Sequence, residues 1–218
     1  MKKFLILFFA LALSFGGFAQ NFCNDSIPKW GESLGVVSFK TERIWKVGNQ
    51  EWSDEVVASA CQKTTYYGGN LSQGIYNYAD CRSNSDYGDL FSWCAVVRFQ
   101  NELCPTPWRV PTTDDFKILH LALNGMDFDI GAFGKYDYID TIVLNRYLND
   151  WGGSYGGFCF WTGELEGKGR FNGYWSQSEY IWDSNHGLNL QFYLSGAIDP
   201  QGRNVKTHGF TLRCVRDN

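Results

Sequence analysis

Cys104-Pro105-Thr106-Pro107-Trp108-Arg109-Val110-Pro111, running into Thr112-Thr113-Asp114-Asp115-Phe116, is the stretch on which the fold turns. Three prolines in eight positions force an extended path, because each ring fixes its own φ and pushes the preceding residue out of the helical region. Thr112 then reads as an N-cap, and acids in the first turn suit the unpaired N–H groups and the helix dipole. Phe116, Leu119 and Leu123 follow at helical spacing, and Gly125 is a plausible stop. Upstream, residues 36–47 carry β-branched and aromatic side chains of a strand or hairpin arm. Gly48-Asn49-Gln50 signals a turn, and Glu51-Trp52 opens another extended stretch. Residues 62–90 are Tyr-, Gly- and Asn-rich and irregular, while 90–99 fit a short helix or a strand equally well. Downstream, 139–151 reads as a second, shorter helix with Ile142, Val143, Tyr147 and Leu148 apolar, ended by the glycines of 152–157. Short strands are expected at 158–162, 173–178, 188–194 and 209–216. In 188–194, Leu188, Leu190, Phe192 and Leu194 alternate with Asn189, Gln191 and Tyr193. That is the pattern of a half-buried strand with a polar-aromatic outer face. Strands, then helices, then strands predict an α+β fold with an antiparallel sheet.

Composition bounds the function. The 218 residues hold 19 Lys and Arg against 23 Asp and Glu, a net charge of −4. Residues 1–19 read as a secretory signal: Lys2-Lys3, an apolar run from Phe4 to Phe15, then small residues up to Ala19. Removing it takes away Lys2 and Lys3 and leaves 17 basic against 23 acidic residues. No nucleic-acid partner is expected, because phosphate binding runs on clustered Lys and Arg. The apolar run is shorter than the roughly 20 residues of a membrane span, and no other segment reads as one. The expected location is therefore secreted or at the cell surface. Hydrophobic residues at 44% and aromatic ones at 17% supply enough apolar surface for an ordered core.

All seven cysteines lie after residue 19. In an oxidising compartment they read as bridges rather than metal ligands, since the chain has no CxxC pair and few histidines. An odd number leaves at least one thiol free, capped or used between chains. Cys61 and Cys81 bracket the irregular 62–90 region, where a bridge would close a loop of about twenty residues. No catalytic constellation stands out. His120 reads as a surface or boundary residue of the central helix, His186 as part of a turn-like loop, and His208 as a turn residue. Glu164 and Glu166 sit in a Gly-rich turn and read as solvated. There is no nucleophile-elbow motif, and no cofactor is expected.

Five stretches, in order, resemble the Fibrobacter succinogenes major paralogous domain family of secreted and surface proteins. Trp45-Lys46-Val47-Gly48-Asn49-Gln50-Glu51-Trp52 is similar to the family's opening KIGNQxW, and Tyr87-Gly88-Asp89-Leu90-Phe91-Ser92-Trp93 to YGRLYTW. Residues 104–112 resemble CPxGWHVPT, with Pro107 in place of a usual Gly and Arg109 in place of a usual His. Tyr174-Trp175-Ser176-Gln177-Ser178-Glu179 resembles YWSSTE, and 209–217 resembles GFSVRCVKD. Cys94 stands where small alanines are common.

The resemblance runs from about residue 36 to Asp217, so beyond the signal peptide at 1–19 the chain is expected to hold an N-terminal segment at 20–35 and one domain at 36–218. The implied domain is α+β and C-type-lectin-like, with twisted antiparallel sheets, one or two flanking helices, long loops and disulfide staples. It also implies a bridge between Cys104 and Cys214. Cys61 is then paired with Cys81, and the pairing of Cys23, Cys94 and Cys159 stays open. Sugar-binding C-type lectins carry Glu-Pro-Asn or Gln-Pro-Asp and a later Trp-Asn-Asp. Here Asp199-Pro200-Gln201 and Asn149-Asp150-Trp151 are only rearrangements of these, so no calcium site of that type is expected. Fold analogy does not carry function.

What remains is a surface argument. Rings give rigid contact area and amides give hydrogen bonds. Tyr180, Trp182, Asn185, His186, Asn189, Gln191 and Tyr193 are therefore the expected ligand-binding residues of a non-catalytic module. Its partner would be an extracellular protein or glycan. The alternative is a structural component of an extracellular appendage or surface complex, linked through the odd cysteine. Trp175 reads as a core residue.

Overall fold

The structure, a computed structural model, describes residues 39, 41–56, 90–127, 135–160 and 164–217. The expected signal peptide, the 20–35 segment, Cys23, and the Cys61–Cys81 pair lie outside the described residues. The described part is α+β; the pairings between its strands are antiparallel, and two isolated bridges, Gly157 to Asn172 and Tyr174 to Thr211, are parallel.

β1 (Trp45–Val47) and β2 (Gln50–Glu55) form the expected hairpin. Its turn passes through Gly48, whose φ of 59° is one that a side chain would strain. β2 continues the sheet to β9 (Arg213–Asp217), in the order β1-β2-β9. A second sheet has the order β3-β8-β7-β6, from β3 (Asp137–Tyr138), β6 (Phe171–Glu179), β7 (His186–Tyr193) and β8 (Ala197–Val205). β4 (Phe158–Cys159) and β5 (Leu165–Glu166) make a small separate pair.

The ambiguous 90–99 stretch is helical. α1 (Trp93–Arg98) is capped by the Ser92 hydroxyl, which accepts from the Ala95 N–H, and α2 (Gln100–Leu103) follows it. α3 (Thr113–Ala122) starts where the sequence placed it. The Thr112 hydroxyl accepts from the Asp115 N–H at 3.2 Å, and the Asp115 carboxylate accepts from the Thr112 N–H at 2.7 Å. This capping box satisfies two orphan groups at once. Asp115 also takes both Arg109 guanidinium nitrogens, at 2.5 and 2.9 Å, and the Gln50 amide at 2.9 Å. One buried carboxylate thus joins the first hairpin, the proline-rich segment and the helix. Arg109 and the Thr112 N–H hold its pKa below the usual carboxylate value despite burial. α4 (Thr141–Asn149) is capped by Asp140, which accepts from the Val143 N–H.

The second sheet has a core on each face. Tyr174, Leu190, Phe192 and Ile198 pack against Phe116 and Leu119 of α3 and Tyr147 and Trp151 at α4. Phe171 and Trp175 point the other way, to Phe91, Trp93, Phe210 and Leu212. The Cys104–Cys214 disulfide lies in this second core, with a Cα–Cα distance of 5.6 Å. Cys94 is disulfide-bonded too, whereas Cys159 is free and buried. Burial pushes the Cys159 thiol up to about 12, so it stays protonated and unreactive. No helix among the described residues is long and apolar enough to cross a membrane.

Three expectations are corrected. β8 was not among the expected strands, which left out 197–205 with its Asp199, Pro200 and Gly202. Asn189 pairs with Gly202 and Gln191 with Asp199, so Pro200 and Gln201 together face Leu190. This bulge takes a proline that has no N–H to give. Second, Asn189 and Gln191 are not on an outer face. They are buried, because a second layer covers that side of the sheet, and Leu194 lies beyond the strand and is exposed. Third, His120 is not at the surface: it is 1% exposed. Its Nδ1 lies 2.6 Å from the Tyr147 hydroxyl and its Nε2 lies 3.2 Å from the Asp137 carboxylate.

Candidate functional site

The seven expected ligand-binding residues separate into two places and an interior. Tyr180, Trp182, Asn185 and His186 gather at the β6–β7 turn. Gln191 and Tyr193 line a cleft toward the other end of the hairpin. Asn189 lies between them, fully buried.

The turn is short and heavily bonded. The Tyr180 N–H donates to the His186 carbonyl at 3.1 Å, and the His186 N–H donates to the Asp183 carbonyl at 3.0 Å. One Asp183 oxygen accepts from the Asn185 backbone and side-chain nitrogens, at 2.9 and 3.0 Å, and the other lies 2.8 Å from His186 Nδ1. The Asn185 N–H contributes most to holding the Asp183 carboxyl below its usual range. Arg203 of β8 donates to the Tyr180 hydroxyl at 2.5 Å and lies over its ring. Below the turn, Lys206 is buried, paired with Glu179 and placed 4.1 Å from the Trp93 ring centre. This scaffold holds up Ile181 and Trp182, which are 74% and 75% exposed.

The cleft encloses about 750 Å³, within the range of about 300–1,000 Å³ usual for small-molecule sites. Phe158 and Phe160, either side of Cys159, form one wall, and Phe210 and His208 continue it. Phe171 and Tyr193 are cross-strand neighbours on the floor, with ring centres 4.7 Å apart. Gln191 and Asn204 bring amides, and Glu166 and Arg170 stand exposed at the rim. The Tyr193 hydroxyl donates to Gln191 Oε1 at 3.2 Å, and Gln191 Nε2 donates to Asn189 Oδ1 at 3.2 Å. Three side chains on one face of β7 are thus linked in a row, and the Gln191 amide is held from both ends.

Sequence reasoning missed Phe158, Phe160, Phe171, His208 and Phe210 as cleft residues. They come from segments that only tertiary packing brings together: Gly157 bridges Asn172, and Cys159 bridges Gly209. The alternation Phe158-Cys159-Phe160 was a usable signal, since it puts both rings on one side. Asp199-Pro200-Gln201 is part of β8 and buried, apart from Asn149-Asp150-Trp151 at the end of α4. Among the described residues no three His, Cys, Asp or Glu side chains group in a way that could hold a metal ion.

Burial lowers the pKa of His208 to about 4 and also lowers that of His120, where Asp137 opposes it only partly. Both are neutral in the fold and gain protons more readily when unfolded. The unfolded state therefore binds more protons once pH falls below the ordinary value of 6.5. Stability from this source is complete above that value and is lost as pH falls toward 4. For His208 the full shift corresponds to about 3 kcal/mol. Urea unfolding at a series of pH values should show midpoints falling across this window, and His208→Gln should flatten the fall. A midpoint that rises on acidification would contradict the assignment.

Comparison of the chain with protein-family models, curated proteins and solved structures returned no match.

Proposed function

We propose that this protein is an exported, non-catalytic binding module of the Fibrobacter succinogenes major paralogous domain family. Its fold is C-type-lectin-like, and it recognises an extracellular protein or glycan through the loops of its C-terminal half. Support for the family comes from how its motif stretches meet. Trp52 pairs with Val215, Arg109 bridges Val215, Phe91 bridges Phe210, Tyr174 bridges Thr211, and the Gln177 N–H donates to the Pro111 carbonyl. The residues that carry the resemblance therefore bond to one another, as a family's shared core would.

The observation that carries the binding role is the β6–β7 turn. Its backbone and Asp183 are tied in place, yet Trp182 and Ile181 stand in water. A large apolar side chain on a pre-organised loop gains free energy only when a partner covers it. A cross-linking role through Cys159 fits less well, since that thiol is buried in the fold.

Screening the purified protein on a glycan array and on intact bacterial and host cells tests this. Trp182→Ala should weaken binding to the retained cell-surface partners about tenfold or more while stability changes by less than about 0.5 kcal/mol. Retained binding that survives Trp182→Ala and Tyr180→Ala unchanged would remove the turn from the interface.

A further inference from the structure

We propose that the cleft between β4 and the β6–β7–β8 face binds one neutral sugar ring, with Phe158 and Phe160 against its C–H face and the Gln191 and Asn204 amides on its hydroxyls. This deepens the binding reading, on which it rests, but uses a different part of the molecule from the Trp182 turn.

Three features select this ligand class. The first is mixed chemistry at close quarters. Half-buried rings of Phe158, Phe160 and Tyr193 share the cleft with two amides and an imidazole. A purely apolar guest would leave those polar groups without partners as it displaced water, which is unfavourable. A sugar ring has an apolar face and hydroxyl edges, and so satisfies both. The second is charge. Glu166 and Arg170 offset each other at the rim, and His208 stays neutral through the physiological range. Nothing there favours an anion or a cation. The third is unmet hydrogen bonding. The Gln191 amide retains a second N–H and a second lone pair beyond its bonds to Asn189 and Tyr193. Because those two bonds fix its orientation, little freedom is lost when a hydroxyl docks.

The fold preserves this arrangement at Gly202. A Cβ there would come 2.5 Å from Gln191 Nε2 and 2.8 Å from its Cδ. Gln191 lies flat over β8 only because residue 202 has no side chain. Gly202→Ala would push the amide up into the cleft without touching its walls.

The test titrates the protein with methyl glycosides of glucose, galactose and N-acetylglucosamine, followed by amide chemical shifts. At least one glycoside should saturate at millimolar concentration with shifts at Gln191, Tyr193 and Asn204. Gly202→Ala and Gln191→Leu should each weaken it about tenfold or more, and Ile142→Ala, an exposed residue of α4 outside both the turn and the cleft, should leave it within about twofold. If Gly202→Ala does not fold, Phe160→Ala at the half-exposed wall takes its place with the same expectation. The inference falls if no glycoside saturates, or if binding survives all three cleft substitutions. It also falls if N-acetyltyrosinamide saturates the cleft where the sugars do not, since a protein side chain would then be its guest. Loss of macromolecular binding in Trp182→Ala alone would bear on the turn and leave the cleft untouched.

Discussion

Replacing Cys104 and Cys214 together with alanine should lower the unfolding free energy by about 5 kcal/mol, from a loop-closure term for a span of this length. The bridge joins residues 110 apart and ties β9 back to the segment leading into α3. Its loss releases much of the described chain in the unfolded state. It also removes sulfur from a core where both cysteines are nearly inaccessible. Urea unfolding of the double variant beside the oxidised parent measures the difference. A loss below about 1 kcal/mol would show that β9 is held mainly by its pairing with β2. The staple would then be secondary, and the rigid platform beneath the Trp182 turn and the cleft would owe little to it.

Arg213→Ala should cost at least about 3 kcal/mol, the range expected when a buried charged and bonded group is deleted. Arg213 begins β9, yet its side chain is wholly buried. The guanidinium lies 4.5 Å from the Trp151 ring centre and donates to the Ser53 and Trp151 carbonyls. Desolvation lowers its pKa, while Tyr174, Glu55 and Asp54 nearby favour the charge. Alanine would leave two carbonyls unpaired and a cavity between the two sheets. Arg213→Lys should recover only part of the loss, because an ammonium cannot spread over the indole and reach both carbonyls at once. Thermal melts of the two variants test the order. A lysine variant as stable as the parent would mean that charge alone, rather than the planar fork, is what the site requires.

Much of the scaffold was legible because its signals are local. Thr112 and Asp115 cap α3 through neighbours three residues apart, so the start of that helix can be read from a few letters. Gly48 makes the first hairpin for the same reason. The 90–99 stretch was ambiguous because its residues are apolar on nearly every side, and α1 is indeed buried nearly all round. Periodicity carries no information where no face meets water.

The candidate site was legible only in part. Trp182 is exposed on the β6–β7 turn. Asn189 and Gln191 did not become surface residues, since alternation distinguishes the two faces of a strand but not what covers each face. Phe91, Trp93 of α1 and Phe210, distant in sequence, cover that side of the sheet. His120 was misread for a related reason: its partners, Tyr147 and Asp137, come from α4 and β3.

Residue order alone was enough for the α+β class, the central helix with its cap, and the first hairpin, because each depends on contacts within a few residues. Packing across the whole chain settled three other things: the depth of Asn189 and His120, the bulged β8 strand with its proline, and the aromatic cleft. Those arise from segments tens of residues apart, and burial is a property of what lands on a side chain rather than of the side chain's own neighbours.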